Sequence, residues 1–142
     1  MHVFRSRIIE APIARVWAAI RSFDGVAEWN PGVDAAVMIA GDATTVGGVR
    51  HLTIPGGDFV ERLMAHSDLE TFYTYRIDES PLPVTGYVAT HRLRPVTVGT
   101  ATYSSWEAWF DCAPAVADEM AALVGDAIFV NGMAGLAAFV EA

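Results

Sequence analysis

From Val33 to Asp111 the chain breaks into six short segments, each closed by turn chemistry, and after Pro114 no such break recurs until the C-terminus. That order constrains the fold more than any other feature. The breaks are Gly41-Asp42, Pro55-Gly56-Gly57-Asp58, Ser67-Asp68, Ser80-Pro81-Leu82-Pro83 and Pro95 to Gly99. Such residues supply positive φ, fixed φ or local side-chain hydrogen bonds. Strands are therefore predicted at about 33–40, 46–55, 58–67, 70–78, 85–94 and 99–111. Their close spacing implies hairpins and an antiparallel sheet. Pro114 then opens a helix predicted to run to about Val140, with Val116, Met120, Leu123, Ala127, Val130, Ala134 and Ala137 as its apolar stripe. Asp118 and Glu119 sit in its first turn, where carboxylates oppose the helix dipole. At ~1.5 Å per residue it spans roughly 40 Å.

Upstream, residues 2–9 alternate, with Phe4, Ser6 and Ile8 opposite Val3, Arg5 and Arg7, and read as a strand stopped by Glu10-Ala11-Pro12. Pro12 can begin a helix, where its missing N–H costs nothing. Ile13, Val16, Trp17 and Ile20 predict that helix over about 12–21, followed by one or two short turns over 23–29 that end at Asn30-Pro31-Gly32. The class is α+β: a strongly bent antiparallel sheet of about seven strands wrapped round one long helix satisfies this order with a single core across residues 1–142.

Composition narrows the function. The net charge is −8 and the pI about 4.7, so phosphate backbones and anionic headgroups are repelled. Nucleic acid is not an expected partner. All nine cations are arginine, which excludes Schiff-base lysine chemistry and a P-loop lysine. Arginine- and alanine-rich usage also suggests a bacterial source. Cys112 is the single cysteine, so no internal disulfide can form and a reducing cytoplasm is the expected compartment. His2, His51, His66 and His91 lack metal-ligand spacing, so neither metal nor cofactor is expected. The N-terminus, MHVFRSRII, has no signal-peptide core, and the apolar stretch Ala127 to Val140 is too short to span a bilayer. No membrane insertion is expected. Apolar residues make up 53% of the chain, enough for a core and a cavity lining besides.

Several strings recur in one known superfamily. They are Ala11-Pro12 with Val16-Trp17, Trp29-Asn30-Pro31, Val46-Gly47-Gly48-Val49-Arg50, Glu61-Arg62-Leu63, Tyr87, and Trp106 before Phe110-Asp111. In this order they resemble the polyketide cyclase/dehydrase branch of the SRPBCC superfamily, which includes START domains and the birch-pollen allergen. The resemblance spans essentially the whole chain. It implies a helix-grip fold with a cavity between the concave sheet face and the long helix. The plant abscisic-acid receptors, distant members, are similar at Arg50, Glu61 and Tyr87. Their pocket lysine falls near Asp34 here and their latch histidine near Leu82-Pro83, which argues against a carboxylate hormone of that kind.

Strand alternation combined with that fold predicts which side chains point inward. Arg50 joins Leu52 and Ile54; Phe59 joins Glu61 and Leu63; Tyr73, Tyr75 and Ile77 follow; then Tyr87, Ala89, His91 and Leu93; then Trp106, Ala108 and Phe110. Phe129, Val130 and Met133 are expected to close the roof. The candidate ligand contacts are therefore Arg50, Leu52, Glu61, Tyr75, Tyr87, His91, Trp106, Phe129 and Met133. Counted across a four-residue turn, Leu52 opposes Glu61 and Arg50 lies diagonal to it. Arg50 and Glu61 admit two readings: an ion pair that holds the hairpin, or a grip on a ligand oxygen. His91 is either a core histidine or a proton carrier, Tyr75 and Tyr87 are cavity wall or ligand donors, and Trp29 flanks the entrance or anchors the core. The leading expectation is binding or carriage of a small, largely apolar ligand, whether polyketide, aromatic or isoprenoid. The alternative is a cofactor-independent cyclase or dehydratase in which Arg50 stabilises an oxyanion and His91 or Tyr87 moves the proton. A chaperone-like partner of a quinone or protein is a third reading. Either a monomer or a homodimer suits the chain.

Overall fold

The computed structural model describes residues 1–141. Seven strands form one antiparallel sheet: β1 (His2–Ile9), β2 (Ala35–Ala40), β3 (Val49–Ile54), β4 (Gly57–Ser67), β5 (Phe72–Glu79), β6 (Thr85–Pro95) and β7 (Thr102–Asp111). Their order is β1-β7-β6-β5-β4-β3-β2, a meander of hairpins with the first strand laid against the last. The predicted segments all form, with ends within three residues of those expected. Helix α1 (Ile13–Ile20) buries Val16, Trp17 and Ile20, and Pro12 is its N-cap rather than its first helical residue. A single turn at Phe23–Gly25 and helix α2 (Val26–Trp29) follow. This is the helix-grip architecture.

The β3–β4 hairpin turns on two residues, not four. Ile54 pairs with Gly57, leaving Pro55-Gly56 as the loop, with Gly56 at φ +94°. Proline then glycine of positive φ is what a tight turn of this length needs. The shorter loop moves the register by two, so Arg50 pairs directly with Glu61 and Leu52 with Phe59. The expected Leu52–Glu61 pairing is thereby corrected. Three ladder irregularities curve the sheet nearby, between Val60 and Glu61, between Leu63 and Ala65, and between Thr85 and Val88.

The helical run Pro114–Glu141 is continuous over 28 residues. It is long and apolar enough to cross a membrane, contrary to the expectation drawn from its last part alone, but one face packs into the core. Its geometry also departs from expectation. After α-helix over Ala117–Ala122 the run widens to a π-helix over Leu123–Val130, then returns to α-helix over Asn131–Glu141. The buried side chains step Met120, Val124, Phe129, Met133, Leu136, Val140. The five-residue step from Val124 to Phe129 is one π turn. It displaces the predicted stripe, so that Ala127 and Val130 are exposed.

Two glycines show how closely this helix is held. A Cβ on Gly135 would lie 2.6 Å from the Trp29 carbonyl oxygen and against the Pro31 ring. Backbone and proline ring cannot yield. Gly135→Ala is expected to destabilise by ~1–3 kcal/mol through overpacking, despite the gain in helix propensity. A Cβ on Gly125 meets instead the flexible end of Arg5, with Nη2 at 2.5 Å. Gly125→Ala is expected to be neutral or stabilising. Urea midpoints of the two variants check this, and equal shifts would refute it.

Candidate functional site

A cavity of about 290 Å³ opens between the concave sheet face and the C-terminal helix. Each wall comes from a different element. Strand β3 gives Arg50, Leu52 and Ile54; β4 gives Phe59 and Glu61; β5 gives Tyr75 and Ile77; β6 gives Tyr87 and β7 Trp106. Val26, Asn30 and Val33 close one side, Leu82 reaches in from the β5–β6 loop, and Leu123, Ala127 and Ile128 form the roof. The roof residues all belong to the π segment, whose widened turn brings them over the sheet while Phe129 stays in the core. The floor residues Arg50, Glu61, Tyr75, Tyr87 and Trp106 are buried, whereas Pro55 and Ala127 are exposed. The polar groups therefore lie at the closed end and the mouth is apolar.

Six of the predicted contact residues line this cavity: Arg50, Leu52, Glu61, Tyr75, Tyr87 and Trp106. Three do not. His91 is fully buried behind Trp106, with the two rings stacked at 4.6 Å. Phe129 stacks on Trp106 at 4.7 Å, and Met133 receives a hydrogen bond on its sulfur from the Ser104 hydroxyl at 3.4 Å. All three face inward as alternation or helix position required, but the concave face is longer than the cavity and Trp106 covers its far end. Trp29 is likewise a core residue, 6.0 Å from His91 between ring centroids. The contributions of Leu82 and of the π segment were not visible to strand alternation. The available hint was Leu82 itself, an apolar residue fixed between two prolines in the β5–β6 loop.

The polar end is built around Arg50. Its Nε and Nη2 donate to the same Glu61 oxygen, Oε1, at 2.9 and 2.7 Å, and Nη1 donates to the Phe23 carbonyl at 2.6 Å. The guanidinium carbon lies 3.8 Å from the Phe23 ring centroid and 5.1 Å from that of Tyr75. Burial works against the Arg50 charge, but the Glu61 carboxylate outweighs it and holds the guanidinium above its ordinary pKa. Burial pushes the Glu61 carboxyl up, and Arg50 opposes that shift. Glu61 Oε2 receives no donor among the described residues. The Tyr75 hydroxyl accepts from Trp106 Nε1 at 3.2 Å and shares a hydrogen bond with the Tyr87 hydroxyl, which leaves the pair one proton to donate. Burial raises the Tyr75 and Tyr87 hydroxyls well above their ordinary range, so both hold their protons.

His91 is set differently. His91 Nε2 shares a hydrogen bond with the Ser104 hydroxyl at 3.0 Å, and His91 Nδ1 is left buried without a partner. Burial, with Arg50 adding to it, pushes the imidazole down to about 3. It is a neutral core ring at neutral pH. Among the described residues no three His, Cys, Asp or Glu side chains gather as metal ligands.

The family described as polyketide cyclase / dehydrase and lipid transport matches residues 1–141. The chain belongs to this family. Solved structures agree over its whole length. A crystal structure of a Bacillus thuringiensis protein is 28% identical, covers 100% of both chains and has a TM-score of 0.89. The protein XoxI from Bacillus cereus is 29% identical over 99% of this chain and 95% of its own, with a TM-score of 0.87. A Thermobifida fusca protein is 28% identical over 96% of this chain and 90% of its own, with a TM-score of 0.88. No curated protein matches. The family name spans two chemistries, reaction and carriage, so the choice between them rests on the cavity itself.

Proposed function

We propose that this member of the family binds or carries a small, largely apolar molecule in the cavity beneath the C-terminal helix, within the cytoplasm. One observation carries the reading: an apolar-mouthed cavity whose few polar side chains gather at the buried end. That arrangement takes the body of a ligand by apolar contact and orients it by a small number of polar groups. A volume near 290 Å³ favours a compact aromatic, polyketide or isoprenoid molecule over a long-chain lipid.

The cyclase or dehydratase reading needs a proton carrier in contact with the ligand. His91 lies outside the cavity, and Tyr87 holds its proton too tightly to trade it near neutral pH. Arg50 has already committed its Nε to Glu61 and one hydrogen of each remaining nitrogen to Glu61 or Phe23. Binding is the simpler use of these groups.

The test is a competition at the mouth. Native mass spectrometry of freshly purified protein is expected to show a retained molecule or an uptake of prodan, a small neutral fluorophore. Ala127→Trp fills the exposed roof without touching the core, and is expected to weaken prodan binding on the order of ten-fold or more. Unchanged binding in the folded variant would place the fluorophore elsewhere and sink the reading.

A further inference from the structure

Resting on that reading, we propose that the ligand's polar head is a neutral hydroxyl, an alcohol or phenol, which donates to Glu61 Oε2 and accepts from a tyrosine hydroxyl, and that the cavity selects against carboxylates. The argument starts from what is already spent. Arg50 is the only cation that lines the cavity among the described residues, and it is neutralised in place. Two of its nitrogens converge on Glu61 Oε1, the third donates to a backbone carbonyl, and an aromatic ring covers its face at 3.8 Å.

A carboxylate ligand would set a second anion beside Glu61 against one guanidinium, in a site whose polar side chains are at least nine-tenths buried. Like charges that close in a dry site are strongly unfavourable, and the ligand would also lose its hydration. A cationic head would gain Glu61 but face Arg50 2.7 Å behind it. A neutral donor meets neither penalty. What remains unmet on the floor is one acceptor, Glu61 Oε2, and the one hydroxyl proton left over by the Tyr75–Tyr87 pair. A hydroxyl group offers one proton and a pair of acceptor positions, which is the complement of that set. The hydrogen bond to Glu61 is charge-assisted, so it carries most of the discrimination.

The experiment compares three probes of one shape: para-pentylphenol, para-pentylbenzoate and pentylbenzene, each displacing prodan at neutral pH. The phenol is expected to bind more tightly than both others by on the order of ten-fold or more, the worth of one hydrogen bond to a charged group. Tyr87→Phe keeps the ring stacked on Phe110, at 5.6 Å, and removes only the hydroxyl. It is expected to cut the phenol's advantage over pentylbenzene several-fold. A benzoate that binds as tightly as the phenol, or a phenol no better than pentylbenzene, overturns the assignment. If prodan binds but none of the three displaces it, the cavity reading stands and this assignment falls. If prodan fails as well, both fall.

Discussion

Arg50→Met is expected to lower stability by ~3–5 kcal/mol, among the largest losses any single substitution in this chain should cause. Arg50 is 2% exposed and Glu61 4%. Taking away the guanidinium leaves a buried carboxyl with no donor on Oε1, and it orphans the Phe23 carbonyl that Nη1 held at 2.6 Å. It also releases a side chain that ties the turn before α2 to the sheet. Glu61 then has two courses, to take up a proton or to draw in water, and both cost stability at neutral pH. The double variant Arg50→Met with Glu61→Leu removes both charges and is expected to recover much of the loss, because a buried pair and apolar residues of similar size are often close in stability. Unfolding free energies of the four forms give the coupling directly. A single variant within ~1 kcal/mol of the wild type would show that the pair is not held as the geometry describes. The same double variant also bears on binding: if it folds and still takes para-pentylphenol with unchanged affinity, Arg50 and Glu61 leave the ligand site.

The parity of the inward residues named on β3 to β7 was legible in the sequence, because an unbroken stretch of strand needs only its turn residues and its alternation to be read. Pro55-Gly56 and Ser80-Pro81 mark ends without reference to the rest of the chain. Register was not legible to the same degree. Counting Gly57 and Asp58 as loop rather than strand displaced Glu61 by two positions, which left it on the correct face but opposite the wrong partner. Membership of the site was harder still. His91 points inward like Tyr87, four residues away on the same strand, yet only Tyr87 reaches the cavity. The difference is made by Trp106 from a neighbouring strand, and strand alternation carries no information about which inward residue a large ring will cover.

The helix shows a second limit. Residues 123–130 are LVGDAIFV, apolar on nearly every side. A period of 3.6 finds a stripe in such a segment whether or not the backbone follows it. The backbone here takes a wider turn, a form often found at functional sites. The consequence is local and specific: Leu123, Ala127 and Ile128 reach the cavity while Phe129 remains stacked on Trp106. A regular α-helix would place these side chains at different angles round the axis, and the roof would be built from other residues.

Acid should destabilise this protein through His91 well before Asp68 titrates. The ring is fully buried, and burial first, then Arg50, depresses its pKa from 6.5 in the unfolded chain to about 3 in the folded one. Above pH 6.5 neither state protonates the ring, so the stability it contributes is fully present. As pH falls below 6.5 the unfolded chain takes up a proton that the folded protein refuses, and stability drops at about 1.4 kcal/mol per pH unit. The loss continues until the folded ring titrates near pH 3, by which point it reaches about 5 kcal/mol. Asp68, held down to about 2 by its hydrogen bonds to Arg21 and Trp17, adds a loss only at lower pH, as it falls through the carboxylate range. The window from pH 7 to 5 therefore isolates His91 from that carboxylate. Across it the wild type is expected to lose about 2 kcal/mol through this ring. His91→Phe keeps a ring against Trp106 but cannot titrate. It starts less stable, since Ser104 loses its hydrogen-bond partner at 3.0 Å, yet its stability should be flatter by that amount over the same window. Urea unfolding of both proteins at pH 7, 6 and 5 measures the two slopes. Parallel slopes would mean that the folded protein accepts a proton on His91 as readily as the unfolded chain does, which a neutral ring sealed behind Trp106 cannot do.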